Sequence, residues 1–177
     1  MVLLLAVNAA RATSFVDVPL AQVEAWSQVV AVGHVVQIGH TMRGGLPFTM
    51  VEVAVDRAIR GAPGATMTIA LNEGPFPDGR LFVVPGTPHP EVGDQLVVHA
   101  APWTQGAWRL VDWQVGVLQR QLGADGVAVA LDGQGAPIAE LPCHELPDHA
   151  ADDVGYLAAM RWDDAIEAVA ACAGGAR

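Results

Sequence analysis

From Val29 to Leu118 the chain is a succession of short, Val-rich apolar runs separated by Gly- and Pro-bearing turns, with almost no charge inside the runs. Alternation is clearest over residues 49–59. There Val51, Val53 and Val55 fall on one face, and Glu52, Ala54 and Asp56 on the other. A period of two marks a half-buried strand. Residues 29–38 are apolar on both faces, which predicts a strand covered on both sides. Further runs at 66–71, 81–84, 95–99, 108–111, 114–119 and 126–131 bring the set to about eight strands, separated by turn signals. Between them, 39–47 reads as an exposed hairpin loop, 60–64 as a turn and 72–79 as a Gly/Pro loop. Residues 85–93 read as a rigid, proline-studded connection.

Helical spacing brackets these strands. Val18, Val23 and Trp26 fall on one side of a short helix within 15–27. Ile166, Val169, Ala170 and Ala173 line one face of a second helix over 163–173. Asp163 stands at its start and Gly174-Gly175 ends it. The pattern predicts a mainly β protein: a small closed or nearly closed antiparallel β-barrel of OB type, with a short N-terminal helix and a C-terminal helix packed on it. Closure removes the edge liability of Val-rich strands. The expected division is a signal-peptide remnant over 1–12, the barrel over 13–132, and a C-terminal extension over 133–177.

Composition narrows the function classes. The 177 residues suffice for one domain with a sizeable core. The formal net charge is −10, and all nine basic residues are Arg. An acidic surface without a basic run disfavours a phosphate backbone or an anionic membrane, so neither nucleic acid nor a lipid surface is an expected partner. The apolar block from Val2 to Val7, followed by Ala10-Arg11-Ala12, resembles the end of an export signal with cleavage before Thr13. That block is too short to span a bilayer, so no membrane insertion is expected after cleavage. The expected location is the periplasm or the extracellular space of a bacterium. Two cysteines in such a compartment predict one disulfide, Cys143–Cys172, the alternative being two buried thiols.

Candidate chemistry is sparse. His34 shares a face with Val30, Val32 and Val36, as a core or barrel-facing histidine would. His99 ends a strand, while His40 and His89 sit in loops. No HExxH, HxH or Cys-x-x-Cys spacing occurs. The densest polar cluster runs from Cys143 through His144 and Glu145 to Asp148 and His149. His144 and His149 are weak metal candidates there, being five apart across Pro147 and unable to share a helical face. Neither Ser14 nor Ser27 lies in a Gly-x-Ser-x-Gly elbow. Trp103, Trp108 and Trp113, spaced by five, are either an aromatic binding face or core filling. No catalytic residue and no cofactor is predicted. The candidate binding residues are His34, His89, His99 and the three tryptophans.

Thr13-Ser14-Phe15-Val16, the run from Val29 to Val35, Val51 to Val55 leading to Arg60-Gly61, Val84-Pro85-Gly86-Thr87-Pro88 and the run from Val92 to Val98 together resemble a group of exported bacterial proteins. Some of these are encoded near matrixin-type metalloproteases. The resemblance covers about residues 13–120 and brings no catalytic residue. A looser likeness is to the OB-type barrels of netrin-like and tissue metalloprotease-inhibitor domains. Those inhibitors grip the protease zinc through an N-terminal Cys, where this chain has Thr13, so that mechanism is not carried over.

The expectation is therefore a non-catalytic exported barrel that binds a protein or peptide, with an associated secreted protease as one partner the resemblance implies. The alternatives are a metal-dependent or thiol enzyme built on His34 and His99 or on the Cys143–His149 cluster, and a structural envelope component.

Overall fold

The structure is a computed structural model that describes residues 18–104, 106–113, 116–141, 143 and 159–175. The expected leader at 1–12 and the pair His144 and His149 lie outside the described residues. In chain order the elements are α1 (Leu20–Trp26), β1 (Val29–Arg43), β2 (Leu46–Arg60), β3 (Thr66–Leu71), β4 (Gly74–Pro75), β5 (Leu81–Phe82), β6 (Gln95–Pro102), β7 (Trp108–Leu110), β8 (Val117–Leu122), β9 (Ala128–Leu131) and α2 (Trp162–Gly175).

Five strands form a ring in the order β1-β2-β3-β7-β6 and back to β1. Every pairing in it is antiparallel except β3 to β7, a parallel bridge between Ile69 and Trp108. This is the OB-like barrel that the strand pattern predicts. β8 and β9 continue the sheet beyond the ring. β6 serves both parts: Ala100–Pro102 pairs with β7, and Leu96–Val98 with β8.

The period of two sorts the strand residues into two cores. Val29, Ala31, Val51, Val53, Leu96 and Val98 fill the barrel interior. Val30, Val32, Val97 and Leu118 point outward, under Leu20 of α1 and Trp162, Ala165, Val169 and Cys172 of α2. This is why β1 is apolar on both faces. The expected disulfide is present, joining Cys143 to Cys172 with sulfurs 2.04 Å apart. The backbone carbonyl of Cys143 also accepts a hydrogen bond from Ala21 N (2.8 Å), so one short segment ties α1 and α2 together.

Several boundaries differ from the expectation, each for a physical reason. The loop expected at 39–47 is two paired strands, which continue to a turn at Gly44-Gly45. Both glycines have positive φ (57° and 81°), the geometry that closes a two-residue hairpin without splaying its strands. The Gly/Pro loop at 72–79 contains β4, which pairs with β5 as a separate small ribbon. β8 begins at Val117, and Val111 N and Gly116 O, on either side of residues 114–115, both bond the backbone of His99. α1 buries Leu20, Val23 and Glu24, whereas Trp26 is half exposed. α2 buries Trp162, Ala165, Val169 and Cys172, a stripe rotated from the expected one because it must include both its tryptophan and its disulfide. Among the described residues, no helix is long and apolar enough to cross a membrane.

Gly61 shows why the Arg60-Gly61 pair closes β2. Its φ is 74°, and a Cβ there would lie 2.3 Å from the Gln28 carbonyl oxygen, at the entry to β1. Gly61→Ala is expected to lower stability by about 2 kcal/mol, combining left-handed strain with a backbone clash. Urea denaturation checks it, with an unchanged midpoint as the contrary result.

Candidate functional site

The sequence-predicted site residues do not gather. His34 is not in a core: it lies half exposed on β1, its Nδ1 3.1 Å from Asp56 Oδ1 across on β2. The outward face of β1 is covered by helices around Val30 and Val32, and His34 lies past that cover. His99 is fully buried, on the outward face of β6 between the inward-pointing Val98 and Ala100. Its Nε2 sits 3.0 Å from Oε1 of Glu24, itself fully buried on α1. Arg60 completes this group, with Nη1 3.8 Å from Glu24 Oε2 and a hydrogen bond to the Glu24 carbonyl. In the β1–β6 register Val30 faces His99 and Gln95 faces His34. The two histidines are thus four positions apart along the ladder, about 13 Å at strand spacing. Each has its own carboxylate. Glu24 and His99 are fully enclosed, and the group binds α1 to the barrel.

The tryptophans also separate. Trp108 and Trp113 both pack against the barrel interior. Trp103 lies at the hairpin end, its ring 4.9 Å from that of Phe48, with the Arg43 guanidinium 4.8 Å from its centroid. Both cysteines are in the disulfide, so neither supplies a thiolate. Among the described residues, no group of three or more His, Cys, Asp or Glu side chains is placed to hold a metal ion.

Among the described candidates, His89 leads to a cleft. The loop after β5 folds across one end of the barrel. Its Pro88 and Pro90 line one narrow space with Val51, Leu71, Leu96 and Leu110, and so cap the interior. Outside this cap, the β4–β5 ribbon and the loop enclose a cleft of about 340 Å³. Leu71, Pro75, Leu81, Phe82, Val83, Pro88 and Pro90 form its apolar walls, and His40, Thr49, Glu73 and His89 are its polar groups.

Glu73 is the unusual member. It is 7% exposed, although it follows β3 in a loop. A backbone turn from Glu73 N to Leu71 O (2.8 Å) folds it back against the barrel end. One carboxylate oxygen is 3.1 Å from His89 Nε2. The other, Oε2, is buried without a hydrogen-bond partner. Burial raises the pKa of Glu73 above its ordinary 4.5, against the opposing pull of His89 and of a hydrogen bond from the Val84 backbone. The folded protein therefore holds this proton to higher pH than the unfolded chain does. The stability tied to this proton is complete below pH 4.5 and is lost as pH rises through the folded-state value. Glu73→Gln is expected to flatten the stability curve over that rise and to leave stability near neutral pH unchanged or higher. Urea midpoints from pH 4 to 8 test this, and a parallel curve for the variant would contradict it.

The cleft has the parts of a binding site without a nucleophile. The Thr49 hydroxyl donates to the Glu73 carbonyl oxygen (2.9 Å). Its contact with His40 Nδ1 (3.2 Å) must then run from the ring N–H to the hydroxyl oxygen. His40 is thus a donor to Thr49 and not a base acting on it. Sequence reasoning missed Glu73. The available signal was its isolation as the single acidic residue between Asp56 and Asp78, directly after an apolar strand.

Comparison with family models, curated proteins and solved structures finds no match to this chain.

Proposed function

We propose that this protein is a non-catalytic binding module of an exported, oxidising compartment, and that it docks a protein or peptide partner on the barrel end that carries the β4–β5 ribbon. The observation that carries this reading is the rim of the cleft. Leu81 is 71% and Val83 58% exposed, side by side above apolar walls that contain one buried carboxylate. Large exposed apolar side chains around a concavity with a few polar groups are the usual make-up of a recognition surface. The disulfide supports export, since such bonds persist in oxidising compartments. The committed proton of Thr49 and the bonded cysteines favour binding over nucleophilic catalysis. The likeness to exported proteins encoded beside matrixin-type proteases makes a secreted metalloprotease the first partner to try.

The test compares the native chain with a Leu81→Ser/Val83→Ser variant, as baits for the exported proteins of the producing cell. Substitution of exposed side chains should leave the unfolding free energy from urea denaturation within about 0.5 kcal/mol of the parent. Affinity for a partner captured by the native chain should fall at least about tenfold. A partner held equally by both baits would place the interface elsewhere.

A further inference from the structure

We infer that the cleft receives a lysine side chain of the docked partner, its ammonium group on the open oxygen of Glu73 and its methylenes along the apolar walls. This rests on the reading that the ribbon end is the docking face, and names what that face selects.

The argument begins with Glu73 Oε2. It is a buried acceptor without a hydrogen-bond partner, on a residue that lines the cleft, while Oε1 faces His89. Buried acceptors are rarely left open, and an exception in a cleft marks a place for an incoming donor. An incoming donor meets apolar surroundings, because Leu71, Pro75, Leu81, Phe82 and Pro88 line the same cleft as Glu73. A charged head on a flexible hydrocarbon stem suits both parts of the site. At about 340 Å³ the cleft is at the small end of ligand pockets, enough for one extended side chain and not for a large cofactor.

Lysine is favoured over arginine by the geometry of the carboxylate. A guanidinium binds best with two parallel hydrogen bonds to both oxygens, and His89 already faces one of them. An ammonium needs a single acceptor direction. The source is a different protein, because this chain contains no lysine. Its net charge of −10 also attracts a basic partner at long range.

The experiment uses the full chain, ¹⁵N-labelled, titrated with Nα-acetyl-lysine methylamide and with its norleucine and arginine counterparts. The lysine probe should move amide signals around Gly74, Leu81 and His89, saturating in roughly the millimolar range expected for so small a ligand. The norleucine probe, lacking the charge, and the arginine probe should each bind at least tenfold more weakly. Glu73→Gln should reduce the preference for lysine to that for norleucine. Equal binding of lysine and norleucine, or tighter binding of arginine, would overturn the inference on the native protein alone, whatever the stability of the variant. If none of the three probes perturbs the cleft but a captured partner still requires Leu81 and Val83, the lysine inference fails and the docking face stands. If partner capture ignores Leu81 and Val83 while the lysine probe still binds, the docking face fails and the cation site stands.

Discussion

Replacing Glu24 by Ala is expected to lower stability by about 3 kcal/mol, because it strips a buried carboxylate from a histidine that cannot reach water. Glu24 and His99 are both fully buried and 3.0 Å apart, joined across 75 positions of sequence. Without the carboxylate, the His99 ring loses the partner of Nε2, in a place where Nδ1 already has none. Arg60 loses less, since its side chain is 36% exposed and keeps the Glu24 carbonyl. The cost thus resides mainly in the abandoned imidazole and in the hole beneath α1. A double replacement, Glu24→Leu with His99→Leu, should recover most of the loss, as apolar substitutes of buried pairs commonly do. Urea denaturation of Glu24→Leu, of His99→Leu and of the double closes a thermodynamic cycle, with an expected coupling of about 1–3 kcal/mol. A Glu24→Ala protein within about 0.5 kcal/mol of the parent would show that the pair contributes nothing to holding α1.

That pair also shows where sequence reasoning stops. His99 is visible in the sequence as a histidine at the end of an apolar run, and Glu24 as a polar position on a short helix. Nothing local says that they meet. Their contact follows from the β1–β6 register, which sets His99 opposite Val30 and so beneath the helix that precedes β1. By contrast, whatever depends on nearest neighbours was legible. The two-faced apolar character of β1 is explained by its place between two cores. The Val51–Val53 alternation faces the interior as its period requires. The cysteine pair is bonded as its even count predicts. The hairpin tip was misread because Gly39, His40 and Thr41 look like loop residues, yet each pairs in register with β2. The cleft was illegible for a further reason. Glu73 is buried by a ribbon of two-residue strands and a proline loop, elements too short to leave a periodic signal. Among the described candidates, His89 led to it.

Removing the disulfide, by reduction or by Cys143→Ala with Cys172→Ala, should cost about 3–4 kcal/mol, since the bond closes a loop across a separation of 29 residues. The loss should be distributed unevenly. Cys172 belongs to the buried stripe of α2, and the carbonyl of Cys143 holds Ala21 N at the start of α1. Both helices lie over Val30, Val97 and Leu118, the outer core, whereas the ring around the barrel interior is closed by strand pairing. Hydrogen exchange in the reduced protein should therefore accelerate first in α1 and α2, and then at His99, whose partner is carried on α1. The amides of β2 and β3 should keep their protection until global unfolding. Uniform acceleration across the chain would mean that the two cores open together, and that the helices are integral to the barrel instead of an outer cover locked by the disulfide. The expected sequence of loss has a functional corollary. The cleft lies on the ribbon and loop end, with no helix residue among its lining. Reduction should therefore weaken the protein while leaving the lysine probe bound to whatever fraction remains folded.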